Sequence, residues 1–252
     1  MNREATDLAG VRYLRFDTLG STNAEALARA RAGERGPLWI VAAEQTAGRG
    51  RRGAAWVSKP GNLYATLLLT EPSPKASAPQ LSFVAALALH DAVAASAPQL
   101  GPVLKLKWPN DLLLGGAKLA GILIEGESDP AFAVAIGMGV NCAHHPEGTA
   151  YPATDLAAAG ALVEPEALIN ALAAALARRL AQWAEGQGFA AIRADWLKRA
   201  AGLGADIRVR LPEREFSGRF EGLDENGRLL VVEGGAIVTV GAGEVFGMGE
   251  TR

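Results

Sequence analysis

The sequence predicts an α+β fold: a mixed, largely antiparallel sheet with helices, followed by a small C-terminal SH3-like β-barrel. Three observations predict it. Apolar runs between residues 104 and 140 follow one another with only tight turns between them, which is the pattern of hairpins rather than of parallel βαβ units. Alanine- and leucine-rich stretches at 81–97, 166–185 and 189–201 have helical composition. After Gly202-Leu203-Gly204 the pattern changes to four or five short strands in under fifty residues, which places a domain boundary near residue 204: 1–203 for the larger domain, 204–252 for the smaller.

Taken in order, residues 11–16 alternate as a short strand that ends at Asp17-Thr18-Leu19-Gly20. Residues 21–32 then form a helix, with Ser21 or Thr22 as N-cap and Thr22 with Glu25 as a capping box. Residues 38–43 read as a buried strand feeding a glycine- and arginine-rich loop at 48–53. Residues 63–69 are a strand, and 81–97 a helix closed by Pro98. Strands follow at 104–107, 112–114, 118–125 and 132–140, with Gly115-Gly116 as the turn of a hairpin. Residues 142–163 are loop, and Pro165 opens the next helical turn. In the small domain, 207–211, 216–220, 229–232 and 237–240 are strands, with a turn at Asp224-Glu225-Asn226-Gly227.

Composition narrows the function. Apolar residues make up 49% and charged ones 21%, the balance of an ordinary globule with ample core. A net charge of −2 argues against a molecule that coats nucleic acid, so any anion site must come from a local gathering of basic residues. Cys142 is the single cysteine, which excludes an internal disulfide and a CxxC pair. His144-His145 near Cys142 lack further ligands at suitable spacing and read as loop; no metal-ligating set is expected. The stretch at 81–97 is broken by His90 and Asp91 and reads as a buried helix rather than a membrane span. The first residues lack the apolar core of a signal peptide, and a cytoplasmic location is expected. Trp39, Trp183 and Trp196 fall in strand or helix patterns as core aromatics.

Four segments carry chemistry. In Glu44-Gln45-Thr46-Ala47-Gly48-Arg49-Gly50-Arg51-Arg52-Gly53, glycines let the backbone approach a ligand while arginines offer rigid forks of donors, a combination suited to phosphates and carboxylates. Alone, it reads equally well as a solvated basic loop. In Lys105-Leu106-Lys107-Trp108-Pro109-Asn110-Asp111, the proline fixes a turn from which Asn110 and Asp111 project, to bind a cation or orient an amine, or simply to make a surface bend. In Lys118-Leu119-Ala120-Gly121-Ile122-Leu123-Ile124-Glu125, Lys118 opens an apolar strand, where a buried or half-buried ammonium needs an anionic partner. Gly137-Met138-Gly139-Val140-Asn141 is a strand end against which something flat can lie.

These segments, in this order and over most of the chain, resemble biotin–protein ligases, whose hallmark is the Gly-Arg-Gly-Arg-Arg-Gly loop. The resemblance implies a catalytic domain of the class II aminoacyl-tRNA synthetase and biotin ligase kind. It also implies an activity: ATP-dependent conversion of biotin to biotinyl-5′-AMP, then transfer of biotin to a lysine of a biotin carboxyl carrier protein domain. Ser21, Thr22, Asn23, Gln45, Gly48, Arg49, Gly50, Arg51, Lys118 and Gly121 then stand at biotin, whose uncharged ureido group needs donors and acceptors in a largely apolar pocket. Ser21 and Thr22 serve equally as a helix cap. Arg51, Arg52, Trp56, Lys107, Asn110, Lys118 and Asn141 stand at ATP or the adenylate, with Asn141 at the adenine edge.

Two anions must meet in the first half-reaction, so Arg51 and Lys118 are the expected catalytic cations, with Mg²⁺ on the departing pyrophosphate. Asp111 is the expected partner of the incoming amine in the second, and the arginine loop is expected to close over the intermediate. Tyr151 lies in the loop after Asn141, where a flap over adenine is convenient. Ala54 and Ala55 stand where some members carry a further basic residue. Family members that bind DNA begin with a winged helix, and only about ten residues precede the first strand here, so no DNA partner is expected. No membrane partner is expected either; a homodimer through a sheet edge is left open. Lipoate ligases share the core fold without the arginine loop. A sensor without turnover and an RNA-binding protein compete from outside enzymology, and the second lacks a basic balance and an aromatic stacking face.

Overall fold

The computed structural model describes residues 3–6, 12–149 and 151–247. Its larger sheet has eight strands in the order β1-β2-β3-β4-β8-β7-β6-β5. They are β1 (Arg3–Thr6), β2 (Arg12–Leu19), β3 (Leu38–Gln45), β4 (Leu63–Thr70), β5 (Leu104–Lys107), β6 (Asp111–Leu114), β7 (Ala117–Glu127) and β8 (Ala133–Val140). Every neighbouring pair is antiparallel except β2 and β3, which run parallel because the helix α1 (Thr22–Arg31) carries the chain across. The sheet is mixed and largely antiparallel, as the run of hairpins predicts. At the β6–β7 turn both Gly115 and Gly116 have positive φ, the backbone of a tight hairpin turn that side chains resist.

Alternation along the central strands sends residues to two faces. Leu14 and Phe16 on β2, Leu38 and Ile40 on β3, and Leu68 on β4 pack with Ala26 and Ala30 of α1. Their neighbours Tyr13, Trp39, Leu63, Ala65 and Leu67 face the other way, into the main core. That core is built around α2 (Leu81–Ser96), with α3 (Pro165–Trp183) and α4 (Phe189–Lys198) against it. Ten residues of α2 are buried, which explains why a stretch apolar enough in composition to cross a membrane is the central helix of a core. Trp39, Trp183 and Trp196 are all in this core.

Two local expectations are corrected. The strand expected at 11–16 is not the first, since β1 precedes it, and it does not stop at residue 16: β2 runs on to Leu19 because Thr18 and Leu19 pair with Glu44 and Gln45 of β3. No capping box forms between Thr22 and Glu25. Ser21 is the N-cap, accepting from the Ala24 backbone N–H at 3.4 Å, Thr22 turns to Gln45, and Glu25 pairs with Arg29 one turn on.

The smaller sheet is antiparallel, in the order β12-β11-β10-β9-β13, from β9 (Asp206–Arg210), β10 (Glu215–Leu223), β11 (Leu229–Glu233), β12 (Ala236–Val240) and β13 (Glu244–Gly247). It is an open sheet and not the closed barrel expected: among the described residues β12 pairs only with β11, and β13 only with β9. The two edge strands are five and four residues long. Closure needs tilted strands long enough to reach each other round the barrel. The sheet's apolar face, with Val209, Phe220, Leu229 and Val231, instead joins the main core.

The two sheets lock together at the turn before β11. Gly227 accepts a hydrogen bond from Trp108 Nε1 at 3.1 Å, and a side chain at Gly227 would collide with the Phe83 ring. Trp108 opens the turn between β5 and β6, so the C-terminal sheet is tied directly to one of the chemistry-bearing segments.

Candidate active site

One cavity of about 280 Å³ gathers residues from the start of α1, the arginine loop, the β5–β6 turn, β7, β8, the loop that follows β8, and the strand β13 with Gly243 just before it. Ser21, Thr22, Asn23, Gln45, Arg49, Gly50, Arg51, Arg52, Trp56, Lys107, Asn110, Asp111, Lys118, Gly121 and Asn141 all line it. Gly48 does not. Its place is structural: its carbonyl accepts from the Trp56 N–H at 2.9 Å, and a Cβ there would strike Ser58 Oγ and the Trp56 carbonyl.

At one end lies a buried polar chain. Gln45 Oε1 accepts from the Thr22 N–H (2.8 Å) and Oγ1 (3.1 Å), while Gln45 Nε2 donates to Ser58 Oγ at 3.0 Å. Thr66 Oγ1 sits 2.8 Å from Thr22 Oγ1 and 2.7 Å from Asn23 Oδ1, with one hydrogen to share. Asn23 Nδ2 donates to Glu125 at 2.8 Å, and Arg49 reaches the same carboxylate at 3.3 Å. Thr22 and Asn23 come from α1, Gln45 from β3, Thr66 from β4 and Glu125 from β7, so the alignment depends on the parallel β2–β3 register and on the close approach of α1 to β8. That approach requires Gly137, where a Cβ would overlap the Asn23 amide. Ser58 and Thr66 were not legible as site residues, since each lies alone in an unremarkable stretch of sequence, and Glu125, at the end of the Lys118 segment, was given no role.

The floor is glycine. Trp56 lies across Gly139 and Gly121, and a Cβ on Gly139 would fall 2.5 Å from its indole nitrogen. Trp56 Nε1 is buried with no hydrogen-bond partner among the described residues, an indole donor available to a ligand's acceptor. Beside it stands the ion pair of Lys118 Nζ and Asp111 Oδ1, 2.7 Å apart and both largely buried. Asp111 faces Gly121 across the β6–β7 ladder, which is how the turn segment and the lysine strand come into register.

Arg51 enters the same cavity from the loop. It donates to Asn110 Oδ1 and to the Gly243 carbonyl, both at 3.4 Å. Burial, then the neighbouring Arg52, lowers its pKa, while Asp111 and Glu244 pull the other way. Its guanidinium still remains charged at neutral pH. Arg52 adopts φ 54, the left-handed backbone that asparagine or glycine takes more readily, and pairs with Glu244 at 3.6 Å. Arg51, Lys118 and Asp111 thus line the same cavity rather than facing separate surfaces.

The amide groups are less free than their sequence context suggests. Asn110 Nδ2 donates to the Ile122 carbonyl at 2.7 Å, and Asn141 Nδ2 to the Thr154 carbonyl at 3.0 Å. Asn141 therefore fastens the 142–163 loop to the end of β8. Lys118 fastens it again, its N–H donating to the Pro152 carbonyl and its own carbonyl accepting from Thr154. Asn62 Oδ1 gathers the Cys142, Ala143 and His144 N–H groups, and His145 Nδ1 lies 2.6 Å from Asp155. The result brings Tyr151 over the cavity, opposite Phe246 of β13. The contribution of Gly243, Glu244 and Phe246 was missed in the sequence, where β13 is four residues in a glycine-rich tail.

Comparison with known proteins agrees with this architecture. Residues 19–141 match the biotin/lipoate A/B protein ligase family, and residues 202–247 match the biotin protein ligase C terminal domain. A Paracoccus denitrificans protein named biotin–[acetyl-CoA-carboxylase] ligase is 45% identical over 236 residues, covering 90% of this chain and 96% of its own. The solved structure of an Aquifex aeolicus biotin protein ligase in complex with biotin and ATP aligns with TM-score 0.78 at 25% identity, covering 93% of this chain and 97% of the other. That of Leishmania major in complex with biotinyl-5-AMP aligns with TM-score 0.66 at 27% identity, covering 91% and 98%. On the strength of the family matches and the identity along nearly its whole length, the chain belongs to the biotin protein ligase family.

Proposed function

We propose that this cavity activates biotin with ATP and passes the biotinyl group to a lysine of a biotin carboxyl carrier protein domain. The observation that carries the reading is that Arg51 and the Lys118–Asp111 ion pair line one cavity beside a glycine floor covered by Trp56. The ureido ring is read at the polar chain of Gln45, Thr22 and Ser21, which can offer both acceptors and donors. The fused rings would lie along Gly121 and Gly139, with the carboxylate toward Lys118 and Arg51.

In the first step a carboxylate oxygen of biotin attacks the α-phosphorus of ATP. The new bond is the mixed anhydride, and the bond from the α-phosphorus to the bridging oxygen breaks with pyrophosphate leaving. Arg51 and Lys118 reduce the repulsion between the two anions and stabilise charge on the phosphorus centre; Arg52 and Lys107 bind along the triphosphate. The carboxylates on the cavity wall, Asp111 and Glu244, face Lys118 and Arg52, so Mg²⁺ is read as entering with ATP as part of that substrate. In the second step the carrier amine attacks the carbonyl carbon and AMP departs. Asp111 is the base in reach, able to accept the amine proton as its pairing with Lys118 loosens. The arginine loop closes over the anhydride and keeps water out.

A division of labour between residues 1–203 and 204–252 follows, with the second part bordering the nucleotide side through β13. A cytoplasmic location, where ATP and carrier are available, completes the reading. The test is incubation with ATP, Mg²⁺ and biotin, followed by assay of pyrophosphate and mass spectrometry for biotinyl-adenylate. Release of pyrophosphate with biotin supports the reading; turnover with lipoate or octanoate alone, or binding without pyrophosphate, overturns it.

A further inference from the structure

One layer behind the cavity wall, Thr66 of β4 is fully buried and has no part in the two reaction steps. Its hydroxyl stands between two side chains of α1, 2.8 Å from Thr22 Oγ1 and 2.7 Å from Asn23 Oδ1. Asn23 reaches on to β7, its Nδ2 donating to the Leu123 carbonyl at 3.2 Å and to Glu125 Oε2 at 2.8 Å. Thr22 and Asn23 line the cavity, and Thr66 lies outside its lining.

The direction of each hydrogen in this row follows from what its partners are able to do. A carbonyl and a carboxylate only accept, so the Asn23 nitrogen faces Leu123 and Glu125, and its oxygen faces Thr66. That oxygen has no hydrogen, so the single Thr66 hydrogen goes to it. The Thr66 oxygen is then an acceptor toward Thr22. Gln45 Oε1, 3.1 Å from the Thr22 hydroxyl, is an acceptor too, already holding the Thr22 backbone N–H at 2.8 Å. Both inner neighbours therefore draw the Thr22 hydrogen away from the cavity, and what Thr22 Oγ1 shows a ligand is a lone pair. The Glu125 carboxylate at the far end favours this direction along the whole row, because hydrogen bonds in a chain polarise one another.

We propose that Thr66 is a positioning residue: through the row from Glu125 and Asn23 it fixes the Thr22 hydroxyl as a hydrogen-bond acceptor, and so selects for an acid whose ring offers an N–H. This rests on the reading that the ureido ring of biotin lies at Thr22 and Gln45. Thr66 itself touches no substrate. A ring without an N–H, such as that of lipoate, leaves the oriented lone pair unsatisfied and is disfavoured for that reason.

The test is a double-mutant cycle between positions 66 and 22 in the full chain, read as KM for biotin, KM for ATP and kcat of pyrophosphate release. Thr66→Val keeps the shape and deletes the hydroxyl. It is expected to raise KM for biotin about tenfold, the scale of one oriented hydrogen bond, with kcat and KM for ATP unchanged. Thr66→Ser should restore the wild-type values. Thr22→Val should raise KM for biotin by itself, and adding Thr66→Val to it should bring less than about a twofold further rise. Should the valine protein fail to fold, Thr66→Ala carries the same expectation. An unchanged KM for biotin in Thr66→Val overturns the proposal, as does a tenfold rise that persists on the Thr22→Val background. An equal rise in KM for ATP also overturns it, since that marks general damage. A wild type that forms no adenylate, or a Thr22→Val protein with unchanged KM for biotin, places the fault in the parent reading. Sensitivity at Thr22 with none at Thr66 disposes of the row alone.

Discussion

Asp111 Oδ1 and Lys118 Nζ lie 2.7 Å apart on neighbouring strands, and the pair borders both the loop arginine Arg51 and the glycine floor. The two residues are seven positions apart in sequence, joined through a hairpin whose Gly115-Gly116 turn sets their register. On the proposed reading adenylation uses the ammonium and transfer uses the carboxylate, and the pairing would keep each in place until its own step.

The two half-reactions should therefore separate by mutation. Lys118→Ala is expected to slow pyrophosphate release on the order of 10²-fold, the usual effect of removing one preorganised donor. Asp111→Asn should retain pyrophosphate release while slowing transfer to the carrier by about 10²-fold or more. Single-turnover assays of each step decide this. Equal loss of both steps in Asp111→Asn would show that the carboxylate only holds the lysine.

Gly139→Ala should displace Trp56 from the floor, because a Cβ there meets the buried indole and rigid ring atoms cannot yield. KM for biotin is expected to rise at least about tenfold, the scale of 1–2 kcal/mol of overpacking. Indole fluorescence should shift in the unliganded protein. A normal KM with normal fluorescence would remove Trp56 from the biotin slot.

Trp108→Phe keeps the buried ring but removes the N–H that Gly227 accepts, and leaves that carbonyl unsatisfied. A loss of about 1–3 kcal/mol is expected. For a domain of this size that lowers Tm by roughly 2–4 °C per kcal/mol. Calorimetry would show the change, and an unaltered Tm would mean that the two sheets do not depend on this tie.

Cys142 is buried, and burial raises its thiol pKa to about 11, well above the ordinary value. A group whose folded pKa is raised contributes stability that is present below the unfolded pKa and lost as pH rises through the folded value. Between roughly pH 8.5 and about 11 the unfolded chain gains thiolate while the folded chain keeps the thiol, so stability should decline across that window. At pH 8 the native protein should resist a thiol-specific reagent, and denaturant should expose one reactive group. Rapid labelling of the native protein would contradict this.

Much of the fold was legible because its signals are local. The Gly115-Gly116 turn, Pro165 at the start of α3 and the apolar run of α2 each announce an element from within a few residues. The end of β2 was not, because pairing with β3 across α1 outweighs the turn-like Asp17-Thr18-Leu19-Gly20. The open C-terminal sheet escaped for a similar reason. Strand pattern alone does not say whether the first and last strands meet, and here the apolar face is covered by the larger domain instead.

By itself the sequence determined which side chains are available for chemistry: the arginine loop, the Trp108-to-Asp111 turn, Lys118, and the glycines of β8. Residue type and short spacing are enough for that, since each motif is a single loop or strand end. Only the tertiary structure decided who stands beside whom: Ser58 behind Gln45, Thr66 behind Thr22, Trp56 on Gly139, Tyr151 and Phe246 around Lys107. Those neighbours are set by sheet register and by the docking of one sheet on another, and the energy of both is spread over many distant contacts rather than written at any one position.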